Sequence, residues 1–209
     1  LKDHLENPAT KDQPFFLWLA ANDPHRPYRQ NIIPEPHEPG DVTVPPFLPD
    51  NDSTRKDLAL YYDEISRLDS YLGKVMNELE KQGVAENTLV IYMTDNGRPF
   101  PRCKTRLYDS GIKTPFIVKW PGKVKAGRTD ALISAVDMAP TFCELAGAEM
   151  SETFQGFSFA PVLKDPEAEI RPYIAGEHNW HDYRAYERAI RDQNFFYIRN
   201  AFPQLNASP

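Results

Sequence analysis

Cysteine, long apolar runs and basic charge are all scarce in this chain, and each scarcity excludes a class of protein. Two cysteines in 209 residues, Cys103 and Cys143, are too few for a disulfide scaffold and are compatible with either redox compartment. The longest uninterrupted apolar run, from Phe15 to Ala21, is seven residues. A helix needs roughly 20 to cross a bilayer, so no segment of this sequence is a membrane span. The first residues, Leu1-Lys2-Asp3-His4-Leu5, show no basic start followed by an apolar stretch, so no targeting signal is visible. Lys and Arg number 24 against 30 Asp and Glu, a net charge of -6, which argues against a general nucleic-acid binder. A local basic patch would still suit a polyanion.

What is present in excess is proline. Twenty of the 209 residues are proline, about twice the usual share. Eight of them fall between Pro24 and Pro49, a segment without hydrophobic periodicity and incompatible with helix. Loops this long inside a folded domain are usually functional or disordered. With 41% hydrophobic and 26% charged residues, the rest of the chain is ordinary globular material with enough substance for a core.

Three short apolar runs read as buried strands: residues 15–20, 88–94 and 115–120. Between the first two, Leu58, Tyr61, Tyr62, Ile65, Leu68, Leu72, Val75 and Leu79 recur at three- and four-residue spacing. That is one buried helix face, with Asp63, Glu64, Arg67, Lys74 and Glu78 expected on the solvated side. Asp52 or Ser53 is the expected cap and Gly83 the stop. Residues 132–136 read as a short strand or turn, and Asp137 as the cap of a helix over 138–146 ended by Gly147. Tyr173-Ile174-Ala175 and Phe195 to Ile198 read as strands, with a turn signal at Asp192-Gln193-Asn194. Helix alternating with buried strand is the α/β rhythm, in which ligands gather at the carboxyl ends of strands.

Three loops qualify there. Asp95-Asn96 offers a carboxylate and an amide oxygen of the hard type that Ca²⁺ or Mg²⁺ takes, and the same tripeptide with Gly97 is also an ordinary turn. Residues 98–106 carry Arg98, Arg102, Lys104 and Arg106 with no acid, a density of positive charge that an oxyanion would relieve and that a solvated loop would also tolerate. His25 follows Pro24, where it can donate to an anion or protonate a leaving group, or serve as a hydrogen-bonded structural residue.

Taken together, five motifs resemble the type I, formylglycine-dependent sulfatases of the alkaline phosphatase superfamily. They are residues 14–28 (PFFLWLAANDPHRPY), 88–97 (TLVIYMTDNG), Lys104 with Leu107-Tyr108 and 111–122 (GIKTPFIVKWPG), 136–141 (VDMAPT) with 145–147 (LAG), and 188–191 (RAIR). Asn22-Asp-Pro-His-Arg26 and Asp95-Asn-Gly-Arg-Pro-Phe-Pro101 look most like the sulfamidase branch, the heparan N-sulfatases. Lys104 departs from that branch, which carries arginine there, and matches the lysine of arylsulfatases.

The resemblance implies an α/β, alkaline-phosphatase-like, mostly parallel sheet with helices on both faces over 1–160. The start of a small antiparallel β subdomain would follow over 161–209. It implies Asp95 and Asn96 as metal ligands, His25 and Lys104 as catalytic groups, and Arg98, His178 and His181 as substrate contacts, with Gly176 to His181 read as a loop facing the sugar. Ca²⁺, or Mg²⁺ in its place, and a formylglycine nucleophile are the implied cofactors. The implied partner is a sulfated saccharide, probed first as N-sulfoglucosamine, and the implied compartment is secreted, periplasmic or lysosomal. The family's Cys/Ser-x-Pro-x-Arg nucleophile motif and its N-terminal acidic pair are not in this sequence, and Cys103 is followed by Lys-Thr-Arg, so it is read as a loop cysteine. The chain alone is therefore expected to bind rather than to turn over. Three competing readings stay open: an O-sulfatase, a phosphodiesterase of the same superfamily, and a non-catalytic polyanion-binding module. Five histidines with no His-rich cluster count against a two-zinc phosphodiesterase.

Overall fold

The computed structural model describes residues 1–7, 10–181 and 184–205. The chain divides into two units, Leu1–Thr88 and Leu89–Pro209.

Unit 1 is organised by one long helix. After a short α1 (Lys2–Glu6), the described residues contain neither strand nor helix before α2 (Asp52–Lys81). The cap of α2 is Asn51, one residue earlier than expected, with its side-chain oxygen accepting from Thr54 N at 3.0 Å. Asp52 then occupies the first turn, where its charge meets the positive end of the helix dipole. The helix stops at Lys81, and Gly83 takes the left-handed conformation at φ 69°.

Two expectations fail in this unit. Residues 15–20 form no strand among the described residues, and Phe16, Trp18 and Leu19 are 69%, 81% and 58% exposed. A strand exists only through its ladder, and no strand among the described residues of this unit supplies one. Asp63 and Glu64, expected on the solvated side of α2, are each only 2% exposed. The proline-rich segment covers them. Asp63 accepts from the backbone N of His37 and contacts its Nδ1, both at 2.8 Å, and Glu64 accepts from Arg29 N at 2.9 Å. An irregular segment has no ladder to satisfy its backbone donors, so the helix carboxylates do it.

Unit 2 begins with β1 (Val90–Met93), which pairs with β2 (Phe116–Lys119) in register Met93↔Phe116. The pair is antiparallel, so these two strands do not make the parallel part of the expected sheet. Between them lies a single-turn helix, α3 (Asp109–Ile112). Residues 135–137 form a 3₁₀ turn rather than a strand, leading into α4 (Met138–Ala146), which Gly147 ends at φ 65° as its sequence predicts. A short α5 (Ala160–Lys164) follows. Phe159, Val162 and Leu163 form the core of this unit, with Ile91, Phe116, Val118 and Leu145 packed on them. The Phe116 and Phe159 rings meet edge to face at 5.5 Å.

The C-terminal part is a three-stranded antiparallel sheet, β3 (Ile174–Trp180), β4 (Arg184–Arg191) and β5 (Phe196–Asn200), in that spatial order. Asp192 builds the β4–β5 turn by accepting from Asn194 N at 2.7 Å and Phe195 N at 2.6 Å. Gly176 to Trp180, expected as a loop, is strand, because residues 174–178 pair in succession with Arg191 to Glu187 of β4 and, past a register shift, Trp180 pairs with Arg184.

Candidate active site

The Asp95-Asn96 turn leaves the end of β1 and opens directly into the basic loop. Asn96 donates from Nδ2 to Gly97 O at 2.7 Å, which leaves its Oδ1 as the acceptor atom, while the Asp95 side chain is exposed. The loop then folds back on itself. Gly97 N donates to Gly111 O at 2.8 Å, and Lys104 N donates to Arg98 O at 3.0 Å. A methyl group at Gly97 would sit 1.9 Å from Ser110 O, and one at Gly111 would sit 2.2 Å from Arg106 O, so glycine is required at both ends of the closure. The loop's Phe100, Cys103 and Leu107 are buried. Asp95, Asn96, Arg98 and Lys104 are thus brought onto one loop.

Backbone strain surrounds Lys104. Arg102 and Thr105 adopt positive φ of 65° and 73°, a conformation that is unusual for any side chain and more so for a β-branched one. Such residues cost about 1–3 kcal/mol each and concentrate at functional sites. The four cations of the loop are not equivalent. Arg102 stacks over the Tyr108 ring at 4.2 Å, and Arg106 lies 3.8 Å from Glu187.

Cys103 is fully buried, and burial pushes its thiol above the ordinary range despite an opposing hydrogen bond from Ser110 and the charge of Arg98. Iodoacetamide at pH 8 is expected to leave Cys103 unmodified in the folded chain and to label it after denaturation, as read by peptide mass spectrometry. Labelling of the native chain at the rate of an exposed thiol would show that this loop is not closed.

His178 is buried in β3, opposite Glu187 of β4, with Nδ1 3.0 Å from the Glu187 carboxylate. The shared carboxylate joins the basic loop to the sheet through Arg106, and Arg191 of β4 pairs with Asp109 of α3. His181, beyond the end of β3, is exposed. Sequence reasoning missed Glu187. Its only sequence signal is the acid between Tyr186 and Arg188, unremarkable until β4 is recognised as a strand.

In unit 1, His25 sits in a turn closed by His25 N donating to Asn22 O at 2.8 Å. Its Nδ1 lies 2.7 Å from Arg26 O. This turn lines a cavity of about 510 Å³ together with Arg29, Glu64, Arg67 and Tyr71. Both proline bonds of the turn, Asp23-Pro24 and Arg26-Pro27, are cis.

For a divalent cation, Asp95 and Asn96 supply two oxygens of the right chemical type, against the six to eight that Ca²⁺ takes. Among the described residues there is no group of three or more His, Cys, Asp or Glu side chains that would hold a metal alone. By chemical type, the two residues supply a fraction of such a shell. Four cations of the adjoining loop, Arg98, Arg102, Lys104 and Arg106, carry charge of the kind an oxyanion pairs with.

Comparison with known proteins defines the class. The sulfatase family profile matches residues 1–148, and a profile described as N-sulphoglucosamine sulphohydrolase, C-terminal, matches 103–200. The chain belongs to the sulfatase family, hydrolases with the alkaline-phosphatase-like fold. It is 39% identical over 163 residues to an ulvan-active sulfatase of Formosa agariphila, covering 77% of this chain and 27% of that protein. It is 35% identical over 157 residues to human N-sulphoglucosamine sulphohydrolase, covering 64% of this chain and 31% of that one. Among solved structures, a protein in complex with its substrate D-glucosamine-2-N,6-O-disulfate matches with a TM-score of 0.62 and 26% identity, over 76% of this chain and 34% of its own. The chain thus spans about a third or less of these relatives. No helix among the described residues is long and apolar enough to cross a membrane.

Proposed function

We propose that this chain is the part of a calcium-dependent sulfatase that holds the sulfate group of a sulfated saccharide, with N-sulfoglucosamine as the substrate. The observation that carries the reading is the closed basic loop, in which a backbone hydrogen bond ties Lys104 to Arg98, three residues beyond Asp95. Lys104 neutralises a sulfate oxygen, and Arg98 adds a planar donor to the same anion. Asp95 and Asn96 hold the cation, which supplies charge to orient the sulfate and stabilise its developing negative charge. His25 exchanges a proton with the leaving group, and His181 contacts the sugar. His178 sits behind that surface, buried against Glu187.

The match of the C-terminal sulphohydrolase profile to 103–200 and the human relative support the N-sulfated substrate. A second reading, an O-sulfatase, is favoured by relatives named for that activity: an endo-4-O-sulfatase 30% identical over 175 residues and an N-acetylglucosamine-6-O-sulfatase 36% identical over 110 residues, both of Bacteroides thetaiotaomicron. The secreted, periplasmic or lysosomal compartment implied by the resemblance is part of the same proposal.

Isothermal titration of the 209-residue chain with CaCl₂, then with N-sulfoglucosamine, tests the reading. Binding of the sugar without hydrolysis is expected, strengthened by calcium. Asp95→Ala is expected to remove the calcium dependence while leaving the thermal midpoint within about 1–2 °C, because the side chain is exposed and its loss falls in the small range of surface substitutions. Calcium binding unchanged in Asp95→Ala would remove this residue from the metal site. Tighter binding of O-sulfated than of N-sulfated glucosamine would put the second reading in place of the first.

A further inference from the structure

The turn that carries His25 is gripped from both flanks by one connected network rooted on α2. Arg67 lays two nitrogens on Asp23, with Nε donating to Oδ2 at 2.7 Å and Nη2 to Oδ1 at 2.6 Å. The same Nη2 reaches Oε2 of Glu64 at 2.5 Å. The other oxygen of Glu64, Oε1, accepts from Arg29 N at 2.9 Å. Asp23 precedes His25 and Arg29 follows it, so a single chain of contacts, Asp23 to Arg67 to Glu64 to Arg29, closes the turn like a strap. The Arg67 and Asp23 side chains are 19% and 12% exposed and that of Glu64 is 2% exposed, so water does not loosen these contacts as it would at a surface pair. A second, more exposed pair, Arg26 with Asp57 of α2, braces the next residue, and the Arg26 guanidinium stacks over Tyr28 at 4.4 Å.

The chemical consequence lies at the imidazole. Nδ1 of His25 is 2.7 Å from Arg26 O, and a carbonyl oxygen only accepts. Nδ1 must therefore carry the proton, and Nε2 is the basic nitrogen of the neutral ring. A histidine in water favours the opposite tautomer, so the backbone geometry of residues 25 and 26 selects this one.

We propose that Arg67 is a positioning residue for His25: by bridging Asp23 and buried Glu64, it holds the 22–29 turn in the geometry that fixes the Nδ1–H tautomer and makes Nε2 the proton-exchanging atom. The inference rests on the sulfatase reading only for what His25 meets, the leaving group of a sulfated saccharide. Nothing in the α2 sequence pattern marks Arg67 for this. Its position places it with the solvated residues, and only the burial of Glu64 beneath the turn draws it inward.

The test is long-range ¹H–¹⁵N spectroscopy of the histidine rings at a pH where they are neutral, on the 209-residue chain, Arg67→Lys and Asp23→Asn. Lysine keeps the charge but cannot span two carboxylates with a planar fork. Asp23→Asn leaves the Arg67–Glu64 pair intact and so protects the fold. The wild type is expected to show His25 as Nδ1–H. Both variants are expected to move His25 toward the Nε2–H pattern while the signals of His4 and His178 and the far-UV circular dichroism stay unchanged. A wild-type His25 in the Nε2–H form, or a folded Asp23→Asn chain that keeps Nδ1–H, overturns the proposal. N-sulfoglucosamine titrated into the wild type separates the two claims. A shift of the His25 signals supports both, and an undisturbed Nδ1–H pattern counts against the saccharide reading while the tautomer result stands.

Discussion

Asp137→Ala is expected to lower the stability of the folded chain by about 3–5 kcal/mol, the range for breaking a buried ion pair by removing one partner. Asp137 is fully buried, and its two carboxylate oxygens hold three partners. Oδ2 accepts from Ser134 N at 2.7 Å, which closes the capping box of the 3₁₀ turn. Oδ1 accepts from Phe157 N at 2.8 Å and pairs with Arg171, whose side chain is 10% exposed. Thr141, one turn on, completes the knot by donating to Asp137 O at 2.6 Å and accepting from Phe159 N at 2.9 Å. Removing the carboxylate strands two backbone donors and leaves Arg171 charged with no compensating acid, each a named route to a large loss. For a chain of this size, that corresponds to a fall in thermal midpoint of roughly 6–20 °C. Asp137→Asn keeps one acceptor and is expected to fall between the two. Differential scanning calorimetry of the three proteins decides the matter, and a midpoint within about 2 °C of wild type for Asp137→Ala would show that the knot is not a source of stability.

In the catalytically competent enzyme, Lys104→Ala is expected to lower kcat/KM on a sulfated saccharide by roughly 10²–10³-fold, or about 2.7–4 kcal/mol, as loss of one preorganised donor does in other oxyanion sites. The physical case is that the loop fixes the backbone from which this ammonium extends. Its backbone N is tied to Arg98 O, positive φ flanks it at Arg102 and Thr105, and the loop closes at two glycines that admit no side chain. The strain is intrinsic to the loop rather than caused by Lys104, so truncation should remove the charge with little change in thermal midpoint. Lys104→Arg keeps the charge with different donor geometry and is expected to retain part of the activity. The comparison is kcat/KM on N-sulfated and O-sulfated glucosamine for all three proteins, with thermal midpoints alongside. Unchanged kcat/KM in Lys104→Ala on every substrate would end the anion-binding role. Cleavage of O-sulfated substrate alone would end the N-sulfatase reading and leave the sulfatase.

These two residues show unequal legibility in the sequence. Lys104 stood out because four cations with no acid are anomalous in a chain of net charge -6. Asp137 read as a plain helix cap, which is a local role, whereas three of its partners come from residues 157 and 171 and, through Thr141, from 159. Long-range partners of a buried carboxylate leave no trace at its own position. Glu187 was missed for the same reason, since its meaning depends on His178 across the β3–β4 ladder and on Arg106 from another loop.

Helices α2 and α4, the β1 and β2 runs, the β4–β5 turn and the basic loop were all determined by the sequence itself, because each depends on periodicity, capping or composition within a few residues. Membership of the sulfatase family followed from motifs of the same local kind. The tertiary structure alone decided which polar residues turn inward. Asp63, Glu64 and Arg67 have the spacing of a solvated helix face, yet a proline-rich segment with unsatisfied backbone donors lies over them and makes two of them the most buried charges of α2. It likewise decided that residues 15–20 make no ladder among the described residues, because the apolar character of a strand is written in its own sequence while its hydrogen-bonding neighbours are not.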